Sequence, residues 1–390
     1  MQVCDVMNWS IFNVYRSTKL STFVALKPTN MTNSERLISL DVFRGITIAA
    51  MILVNFPGSW EITYPQIEHA AWIGLTLADF IFPFFIFIVG VSVVLSFSKQ
   101  IELGKTTHQI AQKSLKRAAK IFAVGFALKF LPTFDFSRIE LPGVLQRIAL
   151  VFVACAILYL YTGWKTQVGI AVGILIGYWL LLTFVPVPNI GAGVLEPGQN
   201  IANWLDGVVI PHSLLNKKGY DSEGFLSTFP AIASGIGGLL AGKMIREEKE
   251  ARQNVNILIV VGILLVIAGM LWGISFPVIK KIWTSSFALI TSGSAFITFA
   301  LLIWLIDLKK IIWGTKPWII FGSNAIAIYV LADVFETIFI QSGLRDGTFV
   351  RLVNFGVNAS AASLIWALFS AGVCFIAASF LYSKHIFIKL

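Results

Sequence analysis

The stretch from residue 55 to 90, NFPGSWEITYPQIEHAAWIGLTLADFIFPFFIFIVG, holds the residue types in this chain best suited to moving a proton. It leaves an apolar segment at Asn55 and crosses a short loop with acids and aromatics but no lysine or arginine. It then passes His69 and Trp72 and re-enters an apolar segment carrying Asp79. A histidine facing a carboxylate is a general-base arrangement, because the carboxylate favours the imidazolium that base catalysis forms. If the chain is helical from His69, then His69, Trp72, Thr76 and Asp79 share a stripe about 80° wide. On such a helix Asp79 lies about 15 Å from His69, so contact needs an intermediary or a break near Gly74. The same spacing also suits an interfacial histidine and tryptophan in an aromatic belt.

Other polar groups sit inside apolar runs. In LISLDVFRGITIAAMILVN, Asp41, Arg44 and Asn55 fall within about 60° of one another on a helix, with Arg44 and Asn55 about 17 Å apart along the axis. Charged groups within a membrane span are costly and usually functional, although a helix-start Asp paired with a basic residue gives the same pattern. GVLQRIAL buries Arg147, a donor suited to carboxylates and phosphates, or a structural partner for Glu140. In GYDSEGFLSTFPAI, Asp221 and Glu223 precede an apolar run, where Ser222 and Glu223 could cap a helix or the acids could meet an amine. FGSNAIAIYVLADVFE places Asn324, Tyr329, Asp333 and Glu336 in one helix, where polar helix packing is the default role. His108 and His385 suit solvated positions, and His212 lies in a long loop.

The elements that must position these residues are membrane helices. The chain is 57% hydrophobic and 13% charged, against roughly 25% charged in a typical soluble domain. Apolar runs long enough to cross a bilayer as helix occur at about 37–56, 77–98, 115–132, 143–162, 165–186, 225–244, 255–275, 284–306, 317–340 and 362–383, about ten spans in all. The predicted fold is an all-α polytopic bundle. Lys99, Lys105, Lys113, Lys243, Arg246, Lys249, Arg252, Lys309, Lys310, Lys316, Lys384 and Lys389 fall in alternate loops, which places those loops and both termini on the cytoplasmic side. The opposite loops carry fewer basic residues, among them Lys217, Lys218, Lys280 and Lys281, and one of them, 186–224, is long enough to form a cap.

The net charge of +10 is spread between apolar segments and forms no dense basic run, so no nucleic-acid partner is expected. No pair of histidines or acids stands at metal-ligand spacing, and there is no G-x-S-x-G elbow or P-loop. Cys4, Cys155 and Cys374 form no disulfide framework. Residues 1–35 read as a polar tail, with Met31 a candidate initiator, and 36–390 as one transmembrane domain.

The segments RLISLDVFRGITIAAMILVN, HAAWIGLTLADFIFPFFIFIVGVS, LPGVLQRIAL, GYDSEGFLSTFPAI, KKIWTSSFALITSG and PWIIFGSNAIAIYV resemble, in order, the transmembrane acetyltransferases related to heparan-alpha-glucosaminide N-acetyltransferase, bacterial homologues included. The resemblance implies acetyl-CoA bound from the cytoplasm as donor, no metal, and an amino sugar or glycan acceptor across a bacterial inner membrane. It implies that His69 is the catalytic histidine and Asn55 its partner. Asp41, Arg44 and Arg147 match motif positions and are the candidates for the cofactor. Trp72, Asp79, Asp221 and Glu223 are the candidates for the acceptor, with Asp79 a supporting residue one layer deeper than His69. Ser222 stands where the family pattern has proline, in the region that would choose the acceptor, which points to a small amino sugar or cell-envelope glycan. A homodimer is a candidate assembly. The competing reading is an amino-sugar transporter, since buried Arg147, Asp79 and Asp333 could line a solute path.

Overall fold

The computed structural model describes residues 37–130, 141–211, 220–246 and 251–388. These residues form helices α1 (Ile38–Asn55), α2 (Ile81–Glu102), α3 (Thr107–Phe130), α4 (Val144–Tyr161), α5 (Trp164–Phe184), α6 (Ile201–Val209), α7 (Thr228–Arg246), α8 (Ala251–Gly273), α9 (Ser285–Leu302), α10 (Lys316–Ser323), α11 (Ala325–Gln341), α12 (Leu344–Asn354) and α13 (Ala359–Ser383). A 3₁₀ turn, Leu77–Phe80, leads into α2, and a π-helical turn, Ile303–Leu308, extends α9. The protein is an all-α polytopic membrane bundle.

Eight of the described helices are long and apolar enough to cross a bilayer, and α10 with α11 makes a ninth if the bent pair is one span. Ten were expected, and α3 accounts for the difference. It is helical where the apolar run suggested, but it buries only Ile110, Ser114, Ala118, Ile121 and Gly125. Those positions form one stripe at helical spacing, and Lys113, Lys116, Arg117 and Lys120 occupy other faces, so α3 is amphipathic rather than apolar all round. The expected helix across 317–340 is also corrected. It bends by 82° at Asn324, so only Tyr329, Asp333 and Glu336 of the four polar residues lie on α11. Gly322 abuts the Asp41 carbonyl of α1 too closely for a side chain. The Asn324 carboxamide meanwhile donates to Ile386 O at 2.9 Å and accepts from Ile388 N at 2.8 Å. A side chain thus supplies backbone-like pairing at the break.

Glycine sets how closely α2 and α7 pack. A Cβ on Gly90 would stand 2.1 Å from Gly235 O, and one on Gly238 would stand 2.1 Å from Phe87 O. The two backbones touch there, as small residues allow between membrane helices. Around this contact Phe87, Phe296 and Phe299 interlock edge to face, in a core completed by Phe43 of α1. The start of α1 is fixed from another helix, since the Ser39 amide donates to the Asp307 carboxylate at 3.3 Å in a buried site, which satisfies an orphan N–H of the first turn.

Gly238→Ala is expected to destabilise the bundle by about 2 kcal/mol or more, because helix backbone, not a flexible side chain, must move. Gly169→Ala on α5, where nothing lies within 4 Å, is the control and should be neutral or stabilising. Thermal unfolding in detergent reads both.

Candidate active site

His69 does not begin a helix. Residues 56–76 form an irregular segment folded against the segment between α8 and α9. Ile73 pairs with Ile279 in a single antiparallel bridge, and the Gly74 amide donates to Val278 O at 2.9 Å. Gly74 has φ +118°, a conformation that glycine adopts readily, and this reverses the chain between His69 and Asp79. The expected helical stripe of His69, Trp72, Thr76 and Asp79 is therefore absent. The supporting place one layer deeper also gives way to direct contact, with His69 Nδ1 2.9 Å from Asp79 Oδ1.

Asp79 is fully buried and collects donors on both oxygens. Oδ2 accepts from the amides of Ala70 and Thr76 and from Thr76 Oγ1, at 3.2, 3.0 and 3.0 Å. Oδ1 faces His69 and also Lys280 Nζ at 3.2 Å. Lys280 Nζ stands 2.9 Å from His69 Nδ1 and 3.4 Å from Nε2. Burial pushes the Lys280 ammonium below the ordinary lysine range, although Asp79 pulls it upward. Asp79 and Lys280 compete for Nδ1: with hydrogen on Nδ1 the ring donates to Asp79 and leaves Nε2 the lone pair a base requires, whereas a bare Nδ1 accepts from Lys280.

His69 opens onto two cavities. A chamber of about 200 Å³ is lined by Asn55, His69, Glu223, Lys280 and Tyr329 among apolar groups of α1, α2, α4 and α11. A wider vestibule of about 500 Å³ shares His69 and Lys281 with it and adds Trp60, Glu68 and Tyr220. At the other end of α1 a cavity of about 240 Å³ holds Arg44, Ser92, Ser96, Arg117 and Asn324. Phe85, Ile148 and Ile326 line both this cavity and the chamber and form an apolar neck between them.

The remaining predicted residues are distributed around this path. Arg44 donates to Asp41 at 3.1 Å and to Ser92 at 2.9 Å, so Asp41 orients the arginine on the cavity wall. Arg147 is not on that wall. It is buried, lies 5.2 Å from the Trp283 ring centroid, and donates to Gly224 O and Ser227 Oγ at 3.2 and 2.5 Å, so it holds the start of α7. Its suggested partner, Glu140, lies outside the described residues, as does His212. Ser222 and Glu223 do not cap α7, which begins at Thr228. Asp206 of α6 instead ties down the turn that precedes α7, accepting the Phe225 and Leu226 amides at 2.8 and 3.3 Å. Glu223 lines the chamber, and its amide donates to Asp221 at 3.1 Å. Trp72 donates to Leu195 O at 2.9 Å and packs edge-on to Tyr220, behind the vestibule wall. Lys280, Lys281 and Arg117 line these cavities and are candidates that motif spacing alone misses. The available signal for the lysines was a basic pair in a loop on the side where the charge bias makes such residues scarce.

The catalytic region of heparan-alpha-glucosaminide N-acetyltransferase matches residues 36–270, more than half of the chain. The chain belongs to this family. Human heparan-alpha-glucosaminide N-acetyltransferase is 29% identical over 413 residues, covering 91% of this chain and 60% of the human protein. The mouse protein of the same name is 26% identical over 369 residues, covering 80% of this chain and 55% of its own length. The chain thus spans somewhat over half the length of these relatives. The family region contains Asn55, His69 and Asp79 but ends before Lys280, which the fold returns to the same site.

Asp206 gives the contact between α6 and the approach to α7 a pH dependence. Burial, partly offset by the two amides, raises its carboxyl from 3.8 to about 6. Between those values the folded chain holds a proton that the unfolded chain has released, so stability falls as pH rises through the window. The unfolding temperature in detergent should drop between about pH 4 and about pH 6. Asp206→Asn keeps the acceptor for both amides, and should flatten that slope and be the more stable chain at neutral pH.

Proposed function

We propose that the protein is a membrane-embedded acetyltransferase that takes an acetyl group from acetyl-CoA on the cytoplasmic side and delivers it to an amino sugar or cell-envelope glycan on the outer side. One observation carries this reading. The His69–Asp79 pair stands on a chamber that meets a basic cavity through an apolar neck along α1. Family membership supports the same chemistry.

The chain's own residues suit the donor. Arg44 and Arg117 supply two guanidinium groups, and Ser92 and Ser96 two hydroxyls, for the phosphates of acetyl-CoA. The neck of Phe85, Ile148 and Ile326 accommodates a slender arm, and the bound donor supplies a thioester activated toward amines. Asn55 offers a hydrogen bond to charge that develops on the acetyl oxygen, worth about 3 kcal/mol where such a donor is preorganised. His69 accepts the acceptor's proton at Nε2 while Asp79 holds Nδ1. Trp60 and Tyr220 present rings suited to a sugar face, and Glu68 and Glu223 suit its amine. That acid content favours a small or uncharged-backbone amino sugar over a sulfated polymer. It keeps Glu223 as the acceptor candidate, with Asp221 and Trp72 positioning residues behind it.

The test is CoA release by the purified chain across a panel of amino sugars. His69→Ala should lower turnover by about a hundredfold or more, and unchanged turnover would sink the assignment. The apolar neck disfavours passage of a polar sugar, so acyl transfer is preferred to transport. Uptake of labelled glucosamine by proteoliposomes lacking acetyl-CoA would reverse that preference.

A further inference from the structure

We infer that Lys280 is a catalytic residue, the cation that receives the negative charge gathering on the acetyl oxygen during transfer. This rests on the acetyl-transfer reading above. In that step the acceptor nitrogen bonds to the acetyl carbon and the carbon–sulfur bond breaks. The amine's proton passes to His69 Nε2 and then to the departing sulfur, which leaves as the thiol of CoA. Lys280 keeps its protons throughout.

Three observations support the assignment. The first is reach. Nζ is 3.4 Å from His69 Nε2, so a nucleophile hydrogen-bonded to Nε2 at about 3 Å lies within about 6 Å of the ammonium. The second is capacity. An ammonium has three donors; Asp79 at 3.2 Å and the His69 ring, whose Nδ1 is 2.9 Å away, face two of them, and the residue also lines the chamber. Apolar walls there, including Ile48, Phe82 and Leu145, make a fixed charge act more strongly than it would in water. The third is how firmly the lysine is held. The Ile73–Ile279 bridge precedes it, the Trp283 amide donates to Lys280 O at 2.9 Å, and the Ile279 amide donates to Thr284 Oγ1 at 3.0 Å. Trp283 is held at φ +49°, a costly conformation for an aromatic residue that surrounding structure must enforce. Trp283 is buried and bonded to Ser234 at 3.2 Å. A lysine serving only to neutralise Asp79 would not need so constrained a loop.

The ionisable groups around Lys280 are His69 and Asp79 from the facing segment, Glu223 from the α7 approach, neighbouring Lys281, and Tyr329 of α11. Since burial lowers the basicity of Lys280, turnover should fall on the alkaline side as this ammonium loses its proton.

The experiment uses the full chain in detergent with acetyl-CoA and glucosamine. Lys280→Met should lower kcat by about a hundredfold or more while KM for acetyl-CoA shifts less than about threefold. Lys280→Arg, which stays charged, should retain most of the turnover and move the alkaline limb to higher pH. A second readout needs no turnover: a thioether analogue of acetyl-CoA should protect Lys280, but not Lys165, from an amine-acylating reagent, scored by mass spectrometry. A folded Lys280→Met with kcat near the parent value, or labelling of Lys280 undiminished by bound analogue, overturns the inference. If Lys280→Met fails to fold, Lys280→Arg with an unmoved alkaline limb overturns it instead. A parent chain that binds the analogue but turns over no amino sugar overturns the acetyl-transfer reading. Protection at Lys280 then still reports whether the lysine faces the ligand.

Discussion

Burial of one carboxylate organises this site. A buried carboxylate is costly unless its lone pairs are satisfied, and Asp79, with no exposed surface, draws five donors from three places. Two come from the backbone, one from Thr76, and two from His69 and Lys280. The requirement fixes the start of α2, folds the His69 segment back over it, and brings in a lysine about two hundred positions further along the chain. Removing any partner would leave the others around an undercompensated charge. The site is therefore a single electrostatic unit.

The rest of the bundle keeps that unit at one end of a continuous axis. Helix α1 carries Arg44 on the cavity at one end and Asn55 on the chamber at the other. Its position depends on contacts that admit no side chain, such as Gly45 against the Trp318 carbonyl. The bend at Asn324 lets α11 line the chamber while α10 turns aside against α1. There the Asn324 carboxamide pairs with the backbone of Ile386 and Ile388, which ties the break to the segment that follows α13.

Much of the fold was legible because a bilayer makes helices obligatory, and most apolar runs are helices at nearly their expected limits. Two features escape that reading. The amphipathic character of α3 stands in the sequence itself, in Lys113, Lys116, Arg117 and Lys120, but is hidden when its apolar half is read alone; the break at Asn324 answers to neighbouring elements, which hydropathy does not encode. For the site, the placement of Asn55 and His69 on one chamber followed from their motifs, and Gly74 was correctly marked as the place where contact would require a break. The contact itself depends on pairing between Ile73 and Ile279, a long-range event invisible to local spacing. Arg147 shows the opposite failure. An arginine within an apolar run signals a demand for partners, and the Gly224 and Ser227 oxygens engage one of its terminal nitrogens away from the cavity wall, while Nε and Nη1 stay buried without a hydrogen bond.

The neck has a consequence for permeability. Two adjoining cavities inside a membrane bundle would pass ions if water ran continuously between them. Phe85, Ile148 and Ile326 offer water no hydrogen bond, and narrow apolar constrictions of this kind empty of water and block hydrated ions. By that principle the three side chains insulate one cavity from the other, and their lack of polar atoms suits this as well as it suits a slender apolar arm.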